Sequence, residues 1–598
     1  MYKLGTKGGV NQSLKGGLSM SKIRFMINNE SMSAAEGKTI LEVCKEIGIN
    51  IPTLCYHPDL EPAAVCNMCL VELEGQEELV KSCETKVKAG MVIKTETDKV
   101  VAARKERLNE ILKTHPNDCL TCIRVGGDCE LQNLAYYYDV NPKERTIKSR
   151  GLDISSHAIV RDMDKCIACE RCIRVCDDVQ GIGVYTKVEN DKGTYITTKS
   201  DVAIAETDCI NCGQCVKVCP VGALTEKDEV HKVLAALSDP NKHIVVQMAP
   251  AIKNTIGEEF GLAPGTDITG KIPTALRLIG VDKVFDTDFS ADLTIMEEGT
   301  EFLNRMKAGE NLPLITSCSP GWIKFVEQSY PELLDNVSSC KSPQQMFGAL
   351  VKSYYAETVG VDPKDIFHLS LMPCTAKKFE ANRPEMSQNG IQDVDVVLTT
   401  RETARLFKIK GIDLPSLEDE NFDLLMGEGT GAGRIFANSG GVMEAALRTV
   451  VWILTEGEMD AIDYIEVRGL EGVKEAELDV AGTKVKIAIA SGTGNAKKIL
   501  DKVIAGEAEY HFIEIMGCPA GCIGGGGAPL PDNQETKRLR MEGIYASDAG
   551  NPTRRSHENT QVQKIYEDYL GQAGSEKAHS LLHTHYVDRS KKITSTTM

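Results

Sequence analysis

No apolar run in this sequence of 598 residues approaches the roughly 20 residues that a membrane-spanning helix needs, so no span is expected. A basic surplus is missing too: 68 Lys and Arg stand against 86 Asp and Glu, a formal net charge of -18. Such a chain offers no electrostatic footprint to nucleic acid and is repelled by an anionic membrane surface. The opening stretch Met1 to Lys22 is Gly-rich and weakly basic and lacks an apolar core segment, so no secretory signal is expected. Residues 1–21 read as a flexible leader, with Met20 an alternative start. The remaining balance, 42% hydrophobic and 26% charged, is that of a globular protein, and the length suggests about three to six domains.

What the chain has in excess is cysteine, 21 in all, clumped in C-x2-C groups rather than spread as a disulfide framework. Neighbouring thiols of this kind suit metal centres, which implies a reduced, cytoplasmic, metal-loaded protein. Over 22–100, Ile23, Phe25 and Ile27 alternate along a strand, a helical stretch covers Thr39–Ile47, and short strands are expected at Leu70–Glu72 and Met91–Ile93. Cys55, Cys66, Cys69 and Cys83 lie among them, spaced C-x10-C-x2-C-x13-C. Four thiolates suit either a binuclear iron–sulfur centre or zinc. The long loop before Cys66 in a small β-rich frame resembles the β-grasp 2Fe–2S domain of plant-type ferredoxins in its respiratory complex I form, which favours iron. Cys44 shares a helical stripe with Ile40, Leu41 and Ile47 and reads as core.

Residues 101–140 carry a helical segment and then His115, Cys119, Cys122 and Cys129, spaced H-x3-C-x2-C-x6-C. Alone, this set is as good for zinc as for iron. Placed after the 2Fe–2S pattern it resembles the one-histidine, three-cysteine 4Fe–4S module of complex I and of large iron-only hydrogenases. Its last spacing is one residue longer than that module has, at the loop around Gly126–Gly127. Over 156–230, Cys166, Cys169, Cys172 and Cys176 recur as Cys209, Cys212, Cys215 and Cys219 before Pro220. Each run is C-x2-C-x2-C-x3-C, the two-cluster ferredoxin pattern in which the fourth Cys serves the other cluster. One cubane is therefore expected on Cys166, Cys169, Cys172 and Cys219, the other on Cys209, Cys212, Cys215 and Cys176. A zinc ribbon would instead separate two C-x2-C pairs by 15–20 residues. These centres make an electron relay, and something downstream must consume or supply the electrons.

From 240 to 535 short apolar strands alternate with amphipathic helices, the pattern of α/β domains with parallel sheets. Strands are expected at His243–Met248, Lys283–Asp286, Leu312–Thr316, Ile366–Met372, Val394–Thr399 and Val485–Ser491. Three loops carry cysteine: Thr316-Ser-Cys318-Ser-Pro-Gly-Trp322, Met372-Pro-Cys374-Thr-Ala-Lys-Lys-Phe-Glu380, and Glu514-Ile-Met-Gly-Cys518-Pro-Ala-Gly-Cys522-Ile-Gly-Gly-Gly-Gly527. In this order they resemble the three signature motifs of iron-only (FeFe) hydrogenases, and the upstream sites resemble the large modular members. The resemblance implies an H-cluster, a 4Fe–4S cubane bridged to a two-iron centre carrying carbonyl, cyanide and azadithiolate. It implies three further 4Fe–4S clusters and one 2Fe–2S cluster. Cys374, Cys518 and Cys522 would hold the cubane, Cys522 as the bridge. Lys377 would donate to a cyanide. Met372, Met516 and Phe436 would wall the two-iron unit, with Pro250, Ala251 and Gln344 beside it. Ala251 stands where the family commonly has serine.

The first loop departs from the family's Thr-Ser-Cys-Cys-Pro. Strict alignment leaves Cys318 as proton relay and makes Ser319 a weak alkoxide ligand. Counting thiolates instead makes Cys318 the fourth ligand, with Cys340 left as structural. The flanking residues leave no gap to shift, so strict alignment is favoured. Glu298, Glu301 and Arg305 recur at helical spacing on one face, by default a solvated one. In the resembled family, glutamates there and a serine, here Ser338, link the active-site thiol to solvent. Residues 540–590 resemble the small-subunit-like segment that wraps the catalytic domain, and 591–598 read as a frayed tail.

The expected activity is reversible H2 oxidation. The alternative is a hydrogen-sensing or electron-transfer iron–sulfur protein without turnover. No G-x-G-x-x-G fingerprint follows a strand, so nucleotide is expected to bind elsewhere. By resemblance the partners are a flavin and NAD(P)-binding subunit and a thioredoxin-like 2Fe–2S subunit, with ferredoxin a further candidate and electron bifurcation an associated activity.

Overall fold

The computed structural model describes residues 22–590 apart from 126–128, 456, 458–461 and 481. The expected leader 1–21, the tail 591–598 and the Gly126–Gly127 loop lie outside the described residues. The chain forms two compact bodies, and residues 115–129 belong to the second although their flanks belong to the first.

The first body comprises the described residues up to Tyr56, with Pro62–Thr114 and Glu130–Thr146. Its mixed five-stranded sheet runs in the order Glu30–Ala35, Lys22–Ile27, Val92–Lys94, Leu70–Leu73, Val80–Lys81. The helix Ile40–Glu46 starts at a capping box, in which the Thr39 side chain accepts from the Glu42 N–H and Glu42 accepts from the Thr39 N–H. It packs Ile40, Leu41, Val43 and Cys44 against Phe25, Ile27 and Ile93. Cys44 is thus core, as its stripe indicates. The helices Asp98–Lys113 and Glu130–Tyr138 are tied by buried Arg104, which donates to the Tyr138 hydroxyl at 3.1 Å and the Leu70 carbonyl at 2.7 Å.

In the second body the two cysteine runs fold alike. Ala168 and Asn211, each two residues after the first cysteine, are left-handed, as are Glu170 and Gly213 two residues later. Ala168 N–H points at Cys166 Sγ and Asn211 N–H at Cys209 Sγ, both at 3.4 Å. A left-handed alanine costs of order 1–3 kcal/mol and persists only where its surroundings over-determine it. Here the turn wraps backbone N–H groups around sulfur.

The catalytic part is built on two four-stranded sheets. In the first, Lys283–Asp286, His243–Met248, Ile366–Leu371 and Val396–Leu398 are all parallel. In the second, Leu314–Ile315, Phe512–Met516 and Thr483–Ser491 are parallel, but the edge strand Val473–Val480 runs antiparallel to its neighbour. That corrects the expectation of purely parallel sheets. Val480 pairs directly with Thr483, and a two-residue turn can only join antiparallel strands. Strands buried on both faces leave loops only at their ends, where parallel sheets gather sites. Met248, Ile315, Leu371 and Met516 each end a strand immediately before a site loop.

The carboxy-terminal helices Gln534–Gly550, Thr560–Ile565 and Glu576–Leu582 belong to the same body. Fully buried Arg448, on the helix Gly441–Leu454, pairs with Asp548 at 2.8 Å and Glu444 at 2.7 Å, and Arg554 also donates to Asp548. Asp548→Ala leaves two guanidinium groups facing each other with Glu444 as the remaining buried anion. We expect it to cost about 3–5 kcal/mol, the range for breaking a buried pair, read as an earlier thermal loss of the catalytic part with no change in the iron bound at 4 °C.

A cysteine-lined cavity and its redox approaches

The four loops at the strand ends close around a cavity. Cys318, Ser319, Cys374, Cys518 and Cys522 line it, with Lys377, Gln344 and Thr287 as the polar remainder of its wall. Met372, Met516, Phe436, Pro250 and Ala251 supply apolar wall, whereas the Gly440–Gly441 turn, also expected to line the pocket, is not part of it. Burial pushes the Cys522 thiol up to about 12 and raises those of Cys374 and Cys518 as well. Thiols held dry this way become thiolates only against a compensating positive charge, which is what a metal cluster brings.

Cys318 and Ser319 differ in what they face. The Cys318 thiol is raised well above its ordinary value by burial and by the carboxylate of Glu298. Ser319 Oγ accepts the Gly517 N–H at 3.0 Å, next to Cys518. Lys377 Nζ donates to the Cys318 carbonyl at 3.1 Å, to Ser342 Oγ at 2.7 Å and to Glu380 at 2.8 Å. Gln344 donates to the same Glu380 at 3.0 Å and accepts from Ser370. Glu380 and Ser342 therefore aim the lysine at the cavity, and neither was read from sequence. Glu380 could have been found as the i+3 partner of Lys377.

Behind Cys318 the helix Thr287–Ala308 presents Glu298 and Glu301. Glu298 is 2% exposed, so the solvated-face default does not hold for it. Burial raises its carboxyl to about 8, opposed by a hydrogen bond from Ser338. Ser338 Oγ also reaches Glu301 Oε2 at 3.0 Å, and Arg305 holds Glu301 Oε1 at 2.6 Å. Ser338 thus stands between Glu298 and the half-buried carboxylate of Glu301, and Glu298 lies close enough to Cys318 to raise its thiol.

The paired cysteine runs approach from the other side. One cavity is lined by Cys166, Cys169, Cys172 and Cys219 together. Cys209 and Cys215 interact electrostatically with Cys176, and Cys212 with Cys215 and Cys518. The Cys209 run abuts the pocket loops: Thr375 donates to the Asn211 carbonyl at 2.7 Å and Lys217 to the Gly524 carbonyl at 2.7 Å. A side chain at Gly526 would strike the Cys212 carbonyl at 2.2 Å, so glycine there allows the two loops to touch. Lys217, buried and paired with Asp532, favours a thiolate at Cys518. Sequence reading passed it over as a spacer between Cys215 and Cys219.

Within the first body, Cys55, Cys66, Cys69 and Cys83 are all buried, with Cys69 Sγ and Cys83 Sγ 3.3 Å apart. Cys119 and Cys122 are half-buried on successive turns, and a side chain at Gly222 would come within 2.7 Å of Cys122 Sγ. His115 Nδ1 lies 2.9 Å from the Pro116 carbonyl, and Cys129 is half-buried beyond residues 126–128.

Comparison with known proteins decides the family. The carboxy-terminal domain of the iron only hydrogenase large subunit matches residues 242–526, and the iron hydrogenase small subunit matches 534–589. Iron hydrogenase 1 of Clostridium pasteurianum is 40% identical over 577 residues, 94% of this chain and 99% of its own. The chain belongs to the iron-only hydrogenases. This hydrogenase is also 46% identical to the NADP-reducing hydrogenase subunit HndD of Solidesulfovibrio fructosivorans over 587 residues, 96% of this chain and all of that one. Among solved structures, the FeFe-hydrogenase HydA1 from Chlamydomonas reinhardtii superposes with a TM-score of 0.55 at 42% identity, over 60% of this chain and 99% of its own. The enzyme's amino-terminal segments match a 2Fe-2S iron-sulfur cluster binding domain at 20–98, the NADH-ubiquinone oxidoreductase-G iron-sulfur binding region at 104–143 and a 4Fe-4S dicluster domain at 165–223. The hydrogenase therefore carries an iron–sulfur relay with 2Fe–2S and 4Fe–4S modules. Among the described residues no helix is long and apolar enough to cross a membrane.

Proposed function

We propose that the cysteine-lined cavity holds an H-cluster, with Cys374, Cys518, Cys522 and Ser319 on its cubane and Cys318 left as the proton-transferring thiol. The observation that carries this reading is a pocket of dry cysteines with Glu298 near enough to raise the Cys318 thiol and Ser338 standing between Glu298 and Glu301. The H-cluster supplies the reversible cleavage of dihydrogen into two protons and two electrons. The chain does the rest. The Lys377 ammonium, held by Glu380 and Ser342, would donate to the anionic ligands of the group in place of the Cys318 carbonyl. Met372, Met516 and Phe436 exclude water. The Cys318 thiol takes up or delivers the proton at its sulfur, Glu298 exchanges it through Ser338, and Glu301 passes it toward solvent. Ala251 donates no side-chain hydrogen bond to the dithiolate, which shifts potential or bias rather than removing activity.

Electrons travel by way of Cys209, Cys212, Cys215 and Cys176, whose loops touch the pocket loops, then Cys166, Cys169, Cys172 and Cys219. The outer stations are a cluster on His115, Cys119, Cys122 and Cys129 and a 2Fe–2S centre on Cys55, Cys66, Cys69 and Cys83. The relative in Solidesulfovibrio fructosivorans is a subunit of an NADP-reducing hydrogenase. That supports a flavin and NAD(P)-binding partner subunit, with a thioredoxin-like 2Fe–2S subunit or ferredoxin beside it, in the cytoplasm of an anaerobe; electron bifurcation fits such an assembly. A sensing or wiring role is the weaker reading, because Cys318, Glu298 and Glu301 are all present. The Bos taurus cytosolic iron-sulfur assembly component 3, 31% identical, aligns with only 68% of this chain.

The infrared spectrum of the anaerobically matured chain tests this reading. Bands of iron-bound carbonyl and cyanide that shift under H2 are expected, and their absence from matured, iron-replete protein would contradict it. A second outcome separates the relay from the site. Cys66→Ala is expected to keep H2-dependent viologen reduction within about twofold while lowering NAD(P)-linked activity by on the order of tenfold or more, with the 2Fe–2S signal lost from the EPR spectrum.

A further inference from the structure

Cys340 was read from sequence as structural, yet it stands beside the proposed proton path among groups that packing alone does not explain. Its Sγ, a carboxylate oxygen of Glu301 and an imidazole nitrogen of His583 all lie within 4.8 Å of one another. Cys340 and His583 face each other across an isolated antiparallel bridge. Lys341 N–H to the Leu582 carbonyl and Thr584 N–H to the Ser339 carbonyl, both 2.7 Å, hold that bridge on either side. The backbone therefore fixes two of the three donors relative to each other.

The histidine is oriented as well. Its Nε2 lies 3.0 Å from Glu297 Oε2, while Tyr566 donates to the other oxygen of Glu297. A carboxylate only accepts, so Nε2 carries a proton, while Nδ1 lies 2.8 Å from Ser339 Oγ, which is itself 3.2 Å from Glu301 Oε2; Cys340 Sγ is 3.9 Å from that same oxygen. A carboxylate behind the far nitrogen is the arrangement that orients histidine toward a metal and raises its basicity. Cys340 is fully buried with Glu297, Glu298 and Glu301 around it, a field that favours a cation at this point. One sulfur, one nitrogen and one oxygen form a donor set for a thiophilic ion rather than for Mg2+ or Ca2+.

We propose that Glu301, Cys340 and His583 bind one divalent cation of the Zn2+ class, with water as fourth ligand, and that the bound cation closes the proton path at Glu301. Arg305 holds Oε1 of Glu301 at 2.6 Å, so the cation takes Oε2, the oxygen that Ser338 uses in the relay. On binding, Cys340 releases its thiol proton to water, a proton held on Nδ1 of His583 leaves the same way, and the Ser339 hydroxyl gives up both Nδ1 and Glu301 Oε2 to the metal. Zinc bonds of about 2.0–2.3 Å draw the three donors together by roughly 1 Å, an adjustment of side chains on an existing frame. The closure rests on the relay proposed above; the binding site does not.

The test uses the matured holoenzyme with one equivalent of Zn2+, unbound metal removed. Zinc K-edge X-ray absorption should show one sulfur among nitrogen and oxygen neighbours. H2-dependent viologen reduction should fall and recover on chelation, with iron content and cluster EPR unchanged. Cys340→Ser should remove the sulfur neighbour and, against its own metal-free rate, raise the inhibitory zinc concentration by tenfold or more, at least the loss that even outer partners of a metal site cause. His583→Ala should do the same without touching sulfur elsewhere. Zinc without a sulfur neighbour, or inhibition unchanged in both variants, would overturn the site. Inhibition accompanied by loss of iron would overturn it too, by placing the effect on the clusters. Zinc bound with its sulfur while turnover continues would leave the site standing and overturn the relay through Glu301.

Discussion

Glu298→Gln is expected to lower H2 turnover by on the order of 10²- to 10⁴-fold with iron content unchanged, the range a positioned proton-transfer group contributes. The amide keeps the size and the hydrogen bonds of the buried carboxyl but neither takes nor releases a proton. Glu298 raises the Cys318 thiol and meets Ser338, and one of its oxygens is buried with no partner. Burial holds its carboxyl at about 8, so it is a neutral acid that can give a proton below that pH and a carboxylate above it. Hydrogen evolution is therefore expected to show an inflection near pH 8 that the residual activity of Glu298→Gln lacks. The stability consequence has a defined sign. Its folded value lies above its ordinary one of 4.5, so its contribution is complete below about pH 4.5 and is lost as pH rises through about 8. The glutamine variant should lose less stability than the parent over that interval, a comparison that thermal melts at pH 5 and pH 9 can make.

The second large effect concerns Ser319. Ser319→Ala should empty the catalytic pocket: roughly one H-cluster's iron, about six atoms, is lost and turnover falls below detection, while EPR of the other clusters persists. Cys318→Ala should do the opposite, keeping all the iron and losing turnover by on the order of 10²-fold or more. The geometry behind this pair is the division of the two neighbours, Cys318 toward Glu298 and Ser319 toward the backbone of Gly517 beside Cys518. If Cys318→Ala lost the cluster and Ser319→Ala kept it, the two roles would be reversed. Ser319→Cys, which restores a thiolate, should retain full iron and move the cubane potential in a redox titration.

Much of this was legible in the sequence because cysteine spacing is a direct record of metal geometry. The repeated C-x2-C-x2-C-x3-C runs required two like turns, and the left-handed Ala168 and Asn211 are those turns. The helical face of Glu298, Glu301 and Arg305 was legible as periodicity, but its burial was not, since periodicity does not say which face meets the core. Phe512–Met516 went unread as a strand because a short run buried on both faces has no alternation to mark it. The contacts that matter most around the pocket join residues far apart in sequence. Lys217 beside Cys518, Glu514 accepting the Gly440 and Met443 N–H groups, and His583 against Ser339 are set by tertiary packing, and no local pattern announces them.

The most direct measurement is H2-dependent reduction of a viologen by the anaerobically purified, matured chain, with bound iron quantified on the same sample. Turnover abolished by carbon monoxide, with on the order of 20 irons per chain, is what an H-cluster fed by the proposed iron–sulfur relay predicts. Full iron with no turnover after maturation would contradict it and return the chain to a sensing or electron-transfer role.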